Sequence, residues 1–139
     1  MRPAVVPKRD LALGRPAIAS SEQLADTPAS NAFDGDDDTR WSSDFSDPQW
    51  ICVDLGQVTT VGSVSLTWET AYASAYKIQV SLDNRKWTDV STTATGGGGV
   101  EDVTFAPTPA RWVRLYGTKR ATEWGYSLYS FQVFGAAAH

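Results

Sequence analysis

The sequence predicts an all-β chain: an antiparallel β-sandwich or jelly roll of about eight short strands. Three observations carry that expectation. Apolar residues recur at every second position from Trp50 onward, and turn residues punctuate the chain at nearly regular spacing. No stretch holds the helical period for three turns. A chain of 139 residues makes about one domain, long enough for a hydrophobic core of its own.

Residues 1–10 hold two prolines and three basic residues without periodicity, and read as a linker or N-terminal arm. The module itself is expected over 11–135, with 136–139 as a C-terminal tail. Leu11 to Ser21 leads into a first short strand, where Gly14 and Pro16 exclude a helix. Glu22 to Ala29 is a polar loop. Trp50 to Leu55 is a strand closed by Gly56, and Val61 to Trp68 places Val64, Leu66 and Trp68 on one face. Tyr76 to Leu82 does the same with Tyr76, Ile78, Val80 and Leu82. The Asp83-Asn84 turn then leads into Lys86 to Val90 as a hairpin partner. Gly96 to Gly99 lacks the helix and the Lys-Ser/Thr pair of a phosphate loop, so it reads as a mobile hairpin connection. Val100 to Phe105, Arg111 to Tyr116 and Leu128 to Phe134 complete the set, the last with Tyr129, Phe131 and Val133 on one face.

The net charge of -4 and a pI near 4.8 argue against nucleic acid and against an anionic membrane surface. Cys52 is the one cysteine, so an intrachain disulfide is impossible; among Ile51 and Val53 it reads as a buried, inert thiol. His139 is the one histidine and the last residue, which leaves no Ser-His or Cys-His nucleophile pair and no imidazole-based zinc site. No apolar run reaches transmembrane length, and the first residues lack a signal-peptide core.

The stretch Asn31 to Trp50, NAFDGDDDTRWSSDFSDPQW, organises the rest. In Asp34-Gly35-Asp36, Gly35 can take a positive φ, so that carbonyls and the Asp34 carboxylate converge as they would around calcium. The alternative is a solvated acidic loop. Arg40 and Trp41 follow, a guanidinium beside a large ring.

The ordered series ASNAFDGDDDTRW, SDPQWICVDLG, YKIQVSLDNRKWTDV, ARWVRLYGT and GYSLYSFQVFG resembles the factor V/VIII type C (discoidin-like) domain. It is most similar to the carbohydrate-binding module family 32 branch found on bacterial glycan-degrading enzymes. The resemblance covers Leu11 to Gly135. It implies a jelly roll without catalysis, a structural calcium, a saccharide site on loops at one end, and a secreted, extracellular monomer linked to a catalytic domain. It implies Asp34 as a carboxylate ligand, Asp36 through its carbonyl, Thr39 through hydroxyl or carbonyl, and Ser130 where the family commonly has Glu.

A sugar offers apolar C–H faces for aromatic stacking and hydroxyls that need fixed donors and acceptors. Trp124, in the polar RATEWGYS loop, is the expected stacking platform, with Arg120 nearby. Phe45 either stacks or tucks beneath its loop. Arg40 either donates to hydroxyls or pairs with Asp36, Asp37 or Asp44. Glu69 is either a ligand carboxylate or a solvated one. Trp41, Trp50, Trp68, Trp87 and Trp112 are expected to pack in the sandwich or lock loops to it. In the first loop, chitosan-binding relatives carry a carboxylate; Gln23 stands at that position, with Glu22 one residue before it. Phe45 likewise replaces a common Tyr. Both departures point to a neutral β-linked glucan, whereas Glu22, Glu69 and the acidic balance keep chitosan as the alternative. Two further classes are a discoidin-type protein or lipid adhesion domain, and a glycosidase using Glu22 and Glu69 as paired carboxylates.

Overall fold

A computed structural model describes residues 9–136. The proposed arm up to Lys8 and the tail beyond Ala136, with His139, lie outside the described residues. The elements are β1 (Ala17–Ala19), a short 3-10 helix (Ala29–Phe33), β2 (Trp41–Ser42), β3 (Gln49–Trp68), β4 (Ala73–Ser81), β5 (Thr88–Thr93), β6 (Val100–Arg120) and β7 (Ser127–Gly135). All strand pairs are antiparallel, in the order β2-β7-β3-β6-β4-β5, with β1 on the free edge of β3.

The two long strands build the sandwich. The first part of β3 pairs with the end of β6 (Ile51 opposite Leu115), and its second part pairs with the start of β6 and with β7 (Leu66 opposite Glu101 and Phe131). The register breaks between Asp54 and Thr59, and again between Val61 and Ser63. There the β3–β6 ribbon bends from one layer into the other. Ile51, Val53, Ile78 and Val113 of one layer then meet Val64, Leu66, Phe131 and Val133 of the other in one core.

This corrects the strand list read from sequence. Gly56 does not close a strand; at φ +86 it bends one that continues to Trp68. Pro107 and Pro109 similarly sit inside β6, at its irregular stretch. Leu82 is 58% exposed, because β4 ends at Ser81, whose hydroxyl accepts the N–H groups of Asp83 and Asn84 (3.2 and 2.9 Å). Tyr129 is half-buried while Leu128 is fully buried; the β3–β7 register slips between Thr67 and Trp68 and reverses the alternation there.

Trp41 and Trp68 lie in the core, but Trp50, Trp87 and Trp112 are half-buried on the outer sheet face. The Arg114 guanidinium lies 4.0 Å from the Trp87 ring centroid and 5.8 Å from that of Trp50, covering Cys52. Burial pushes the Cys52 thiol up to about 12, so it is neither nucleophile nor ligand at neutral pH. The glycine loop is tied down: Gly96 N–H donates to Ser74 O (2.8 Å), Gly97 N–H to Glu101 Oε2 (3.2 Å), and Gly99 O accepts Trp68 N–H (2.8 Å).

Candidate functional site

At one end of the sandwich, loops enclose an open groove of about 260 Å³. Phe45, Trp124 and Leu24 supply its apolar wall, Arg40, Glu69 and Gln23 its polar groups, and Ser42, Thr70 and Ala71 complete the lining. Larger depressions, of about 340 Å³ beside Leu82 and about 330 Å³ beside Arg15, contain no aromatic ring, and one of about 280 Å³ beside Gln132 has the single ring of Phe134. Size does not select the site; the combination of rings and fixed polar groups does.

The polar groups are set by strand ends. The buried Ser127, which opens β7, pairs with Ser42 across the β2–β7 ladder. Its hydroxyl accepts Arg40 Nη1–H at 2.9 Å, and its carbonyl accepts Glu69 N–H at 3.0 Å. One serine therefore places a cation and an anion in the same groove. Glu69 Oε1 accepts Ala71 N–H at 2.8 Å, which fixes the carboxylate, while Oε2 has no hydrogen-bond partner among the described residues. Arg40 forms no ion pair with Asp36, Asp37 or Asp44, so the rest of its fork remains open to a ligand. Gln23 is held through Ser42: its N–H donates to Ser42 O (2.8 Å), and its Oε1 accepts the Ser42 hydroxyl (3.1 Å). Its amide nitrogen has no hydrogen-bond partner among the described residues. Trp41, buried beneath, ties the first loop down through Nε1–H to Ser21 O at 3.0 Å.

The aromatic pair comes from two loops. Phe45 precedes the cis Asp47–Pro48 bond, and Trp124 lies between β6 and β7. Phe45 stands on the surface rather than under its loop, 43% exposed, with Trp124 49% exposed. Beneath them Ser43 and Tyr126 exchange two hydrogen bonds: Ser43 N–H donates to Tyr126 O, and Tyr126 N–H donates to the Ser43 hydroxyl, each at 2.8 Å.

Five of the seven residues expected to face a sugar thus line one groove: Gln23, Arg40, Phe45, Glu69 and Trp124. Glu22 and Arg120 do not. Glu22 Oε2 accepts the N–H of Ala29 (2.7 Å), the first residue of the 3-10 helix, so its carboxylate turns away from the groove. Glu22 and Glu69 accordingly do not form a pair across the groove. Arg120 lies behind the Trp124 loop, with Nε 3.3 Å from Asp47 Oδ2 and Nη1–H donating to Glu123 O (3.4 Å). Leu24, Ser42, Thr70, Ala71 and Ser127 were not anticipated. Leu24, a lone apolar residue in the SSEQLADTP loop, had a readable signal; Ser127 had none.

The acidic turn adopts the expected form, with Gly35 at φ +73. Thr39 Oγ–H donates to Asp34 Oδ2 (2.5 Å) and lies 2.9 Å from Asp36 O and 3.4 Å from Asn31 O. Four oxygens therefore converge within one turn, a donor set that suits a hard cation, although calcium takes about six to eight. Ser130 sits on β7 opposite Thr67, with no hydrogen bond to the turn. Among the described residues no group of three or more His, Cys, Asp or Glu is arranged to hold a metal ion.

Residues 16–131 match the family model of the F5/8 type C domain. Among solved structures, a mutant of chitosan-binding module 1 from the chitosanase/glucanase of Paenibacillus sp. IK-5 is 51% identical, with a TM-score of 0.90 over 93% of this chain and 100% of that one. Chitosan-binding module 2 of the same enzyme, in complex with chitotriose, is 46% identical, with a TM-score of 0.89 over 91% of this chain and 100% of that one. Among curated proteins, the polysaccharide lyase 8 family protein HylA of Enterococcus faecalis is 41% identical over 68 residues, or 49% of this chain; the match spans 5% of that protein's length. The chain belongs to the F5/8 type C domain family, in its non-catalytic, carbohydrate-binding branch.

Proposed function

We propose that the module binds a glucosamine-bearing polysaccharide of the chitosan type, with one sugar face on Trp124 and its ammonium at Glu69. The observation that carries this reading is Glu69, its carboxylate pinned by Ala71 N–H and its backbone N–H held by Ser127 O, in a groove whose wall is the Phe45–Trp124 pair. A carboxylate fixed in advance gives up little side-chain entropy on meeting an ammonium, and a ring beside it stacks on the C–H face. Two relatives that are named chitosan-binding modules, at 46% and 51% identity over nearly their whole length, support it. The sequence alone favoured a neutral glucan, on Gln23 and Phe45. Arg40 keeps that second reading in play: its guanidinium shares the groove and disfavours a cation, while suiting hydroxyl acceptors.

The module raises the local substrate concentration of a glycan-degrading enzyme to which it is covalently linked, outside the cell where such polymers lie. A shallow single site gives a Kd on the order of micromolar to millimolar, and further modules add avidity. Calcium at Asp34, Asp36 and Thr39 steadies the turn before Arg40; a chelator then lowers Tm, and an unchanged Tm would remove the metal from the scheme.

Calorimetric titration with chitotriose and with laminarin oligosaccharides, each at low and high salt, tests the assignment. Salt-sensitive binding of chitotriose alone supports the chitosan reading. Salt-independent binding of laminarin alone replaces it with the neutral glucan, and hydrolysis of either would overturn a purely binding role.

A further inference from the structure

Resting on the saccharide reading, we propose that Asp47 is a positioning residue of the groove: it locks the Phe45 loop to the Trp124 loop and so sets the angle of the aromatic platform. Asp47 lines no part of the groove. Its Oδ1 accepts the Tyr126 hydroxyl at 2.5 Å, and its Oδ2 lies 3.3 Å from Arg120 Nε. Arg120 in turn donates through Nη1 to Glu123 O (3.4 Å), beside Trp124. One carboxylate thus joins the loop of Phe45, two residues upstream, to both ends of the loop that carries Trp124.

The anchors are rigid. Tyr126 is fully buried, and its ring lies so close to Gly117 that a Cβ there would come within 2.3 Å of it. Burial, reinforced by the Asp47 carboxylate, pushes the Tyr126 phenol far up, so it remains a hydrogen-bond donor throughout the working pH range. Arg120 extends from the end of β6, and its Nε is buried without an aligned hydrogen bond, leaving Asp47 as its counter-charge. Removing Asp47 releases both anchors together. The two Ser43–Tyr126 hydrogen bonds remain and still hold the loop bases. The effect should fall on the loop tips, where the two rings meet.

Asp47→Asn keeps an acceptor for Tyr126 but loses the charge facing Arg120; Asp47→Ala loses both. With 5-fluorotryptophan, the chain's six tryptophans each give a fluorine resonance, and Trp124→Phe assigns that of Trp124. In Asp47→Ala the Trp124 resonance should shift toward the free amino acid and broaden, with those of Trp41 and Trp68 in place. The Kd for chitotriose should rise about tenfold, with Asp47→Asn falling between. An unmoved Trp124 resonance, an unchanged Kd, or all resonances moving together would overturn the proposal. If Asp47→Ala does not fold, Tyr126→Phe, which removes the hydroxyl alone, must give the same local shift. A wild-type protein that ignores chitotriose would end the chitosan assignment, yet the fluorine spectra would still decide the positioning role.

Discussion

Phe45 and Trp124 meet edge to face, their ring centroids 5.5 Å apart and their planes at 78°. That arrangement pins the tilt of the indole while the ring remains 49% exposed, which suits a stacking platform. Trp124→Ala should therefore raise the Kd about thirty-fold or more, the scale of a hot-spot aromatic, with little change in Tm because half of the side chain is already in water. Phe45→Ala removes its part of the groove wall and the support of one ring by the other, the latter about 0.5–1.5 kcal/mol, and should weaken binding at least about two- to tenfold. Affinity electrophoresis beside thermal melts separates the two. A large drop in the Tm of Trp124→Ala would make this ring part of the core.

Arg40 and Glu69 are held by the same serine, yet they should respond oppositely to a cationic sugar. Glu69→Gln keeps the shape and, through its carbonyl, the acceptor for Ala71 N–H. It should weaken chitotriose binding about tenfold and abolish its salt dependence, the value of one charge-assisted bond. Arg40→Gln should leave chitotriose binding intact or improve it. Wild-type affinity should fall as pH rises through the pKa of the sugar amine, since the ammonium disappears. Isothermal titrations on both sides of that pKa check the sign, and a flat profile would assign the groove to a neutral ligand.

Gly125 joins the two aromatic loops by lacking a side chain. A Cβ there would come within 2.6 Å of Asp44 O, Ser43 O and Ser43 Oγ, and two of these are backbone atoms that cannot swing aside. Gly125→Ala must therefore push the Phe45 loop away from the Trp124 loop. Overpacking of this kind costs about 1–3 kcal/mol. The expected result is a Tm lower by several degrees and binding as poor as that of Trp124→Ala. Normal binding in a destabilised variant would show that loop separation is irrelevant to the groove.

The groove residues that could be read from sequence are those whose chemistry conflicts with a local rule. Trp124 and Phe45 are rings in polar loops, and Glu69 stands where the alternation of β3 ends at Trp68. The residues that hold them could not be read, because Ser127 and Asp47 act through partners far along the chain. The same limit explains the misplaced strand ends. Gly56, Pro107 and Pro109 carry turn chemistry, yet in a sandwich they serve as bends within continuous strands. Glu22 and Gln23 are neighbours, and only the path of the first loop decides that Glu22 meets the 3-10 helix while Gln23 meets the groove. The outer-face tryptophans mislead for another reason: Arg114 lies over Trp50 and Trp87 and Arg111 over Trp112, so a ring becomes half-buried without entering the core.

Acid should weaken the fold through three carboxylates that are far from the groove. The Arg111 guanidinium, at 2.9 and 3.1 Å, holds Asp54 below its ordinary 3.8. The backbone N–H groups of Lys86 and Arg85 do the same for Asp83, and the Gln79 amide for Asp89, helped by Lys77. A carboxylate with a depressed folded-state pKa contributes stability that is complete above its unfolded pKa and disappears as pH falls through the folded value. As far as these groups decide it, Tm should be level from neutral pH down to about 5 and decline below about 4. Asp54→Asn should lower Tm at neutral pH and shrink the acid-induced decline, since part of what acid removes is already gone. Asp26→Asn is the control, because that carboxylate has no partner among the described residues. Melting curves across the pH series decide the point: if Asp54→Asn follows the wild type in parallel at every pH, the Arg111 pair contributes nothing measurable to the folded state.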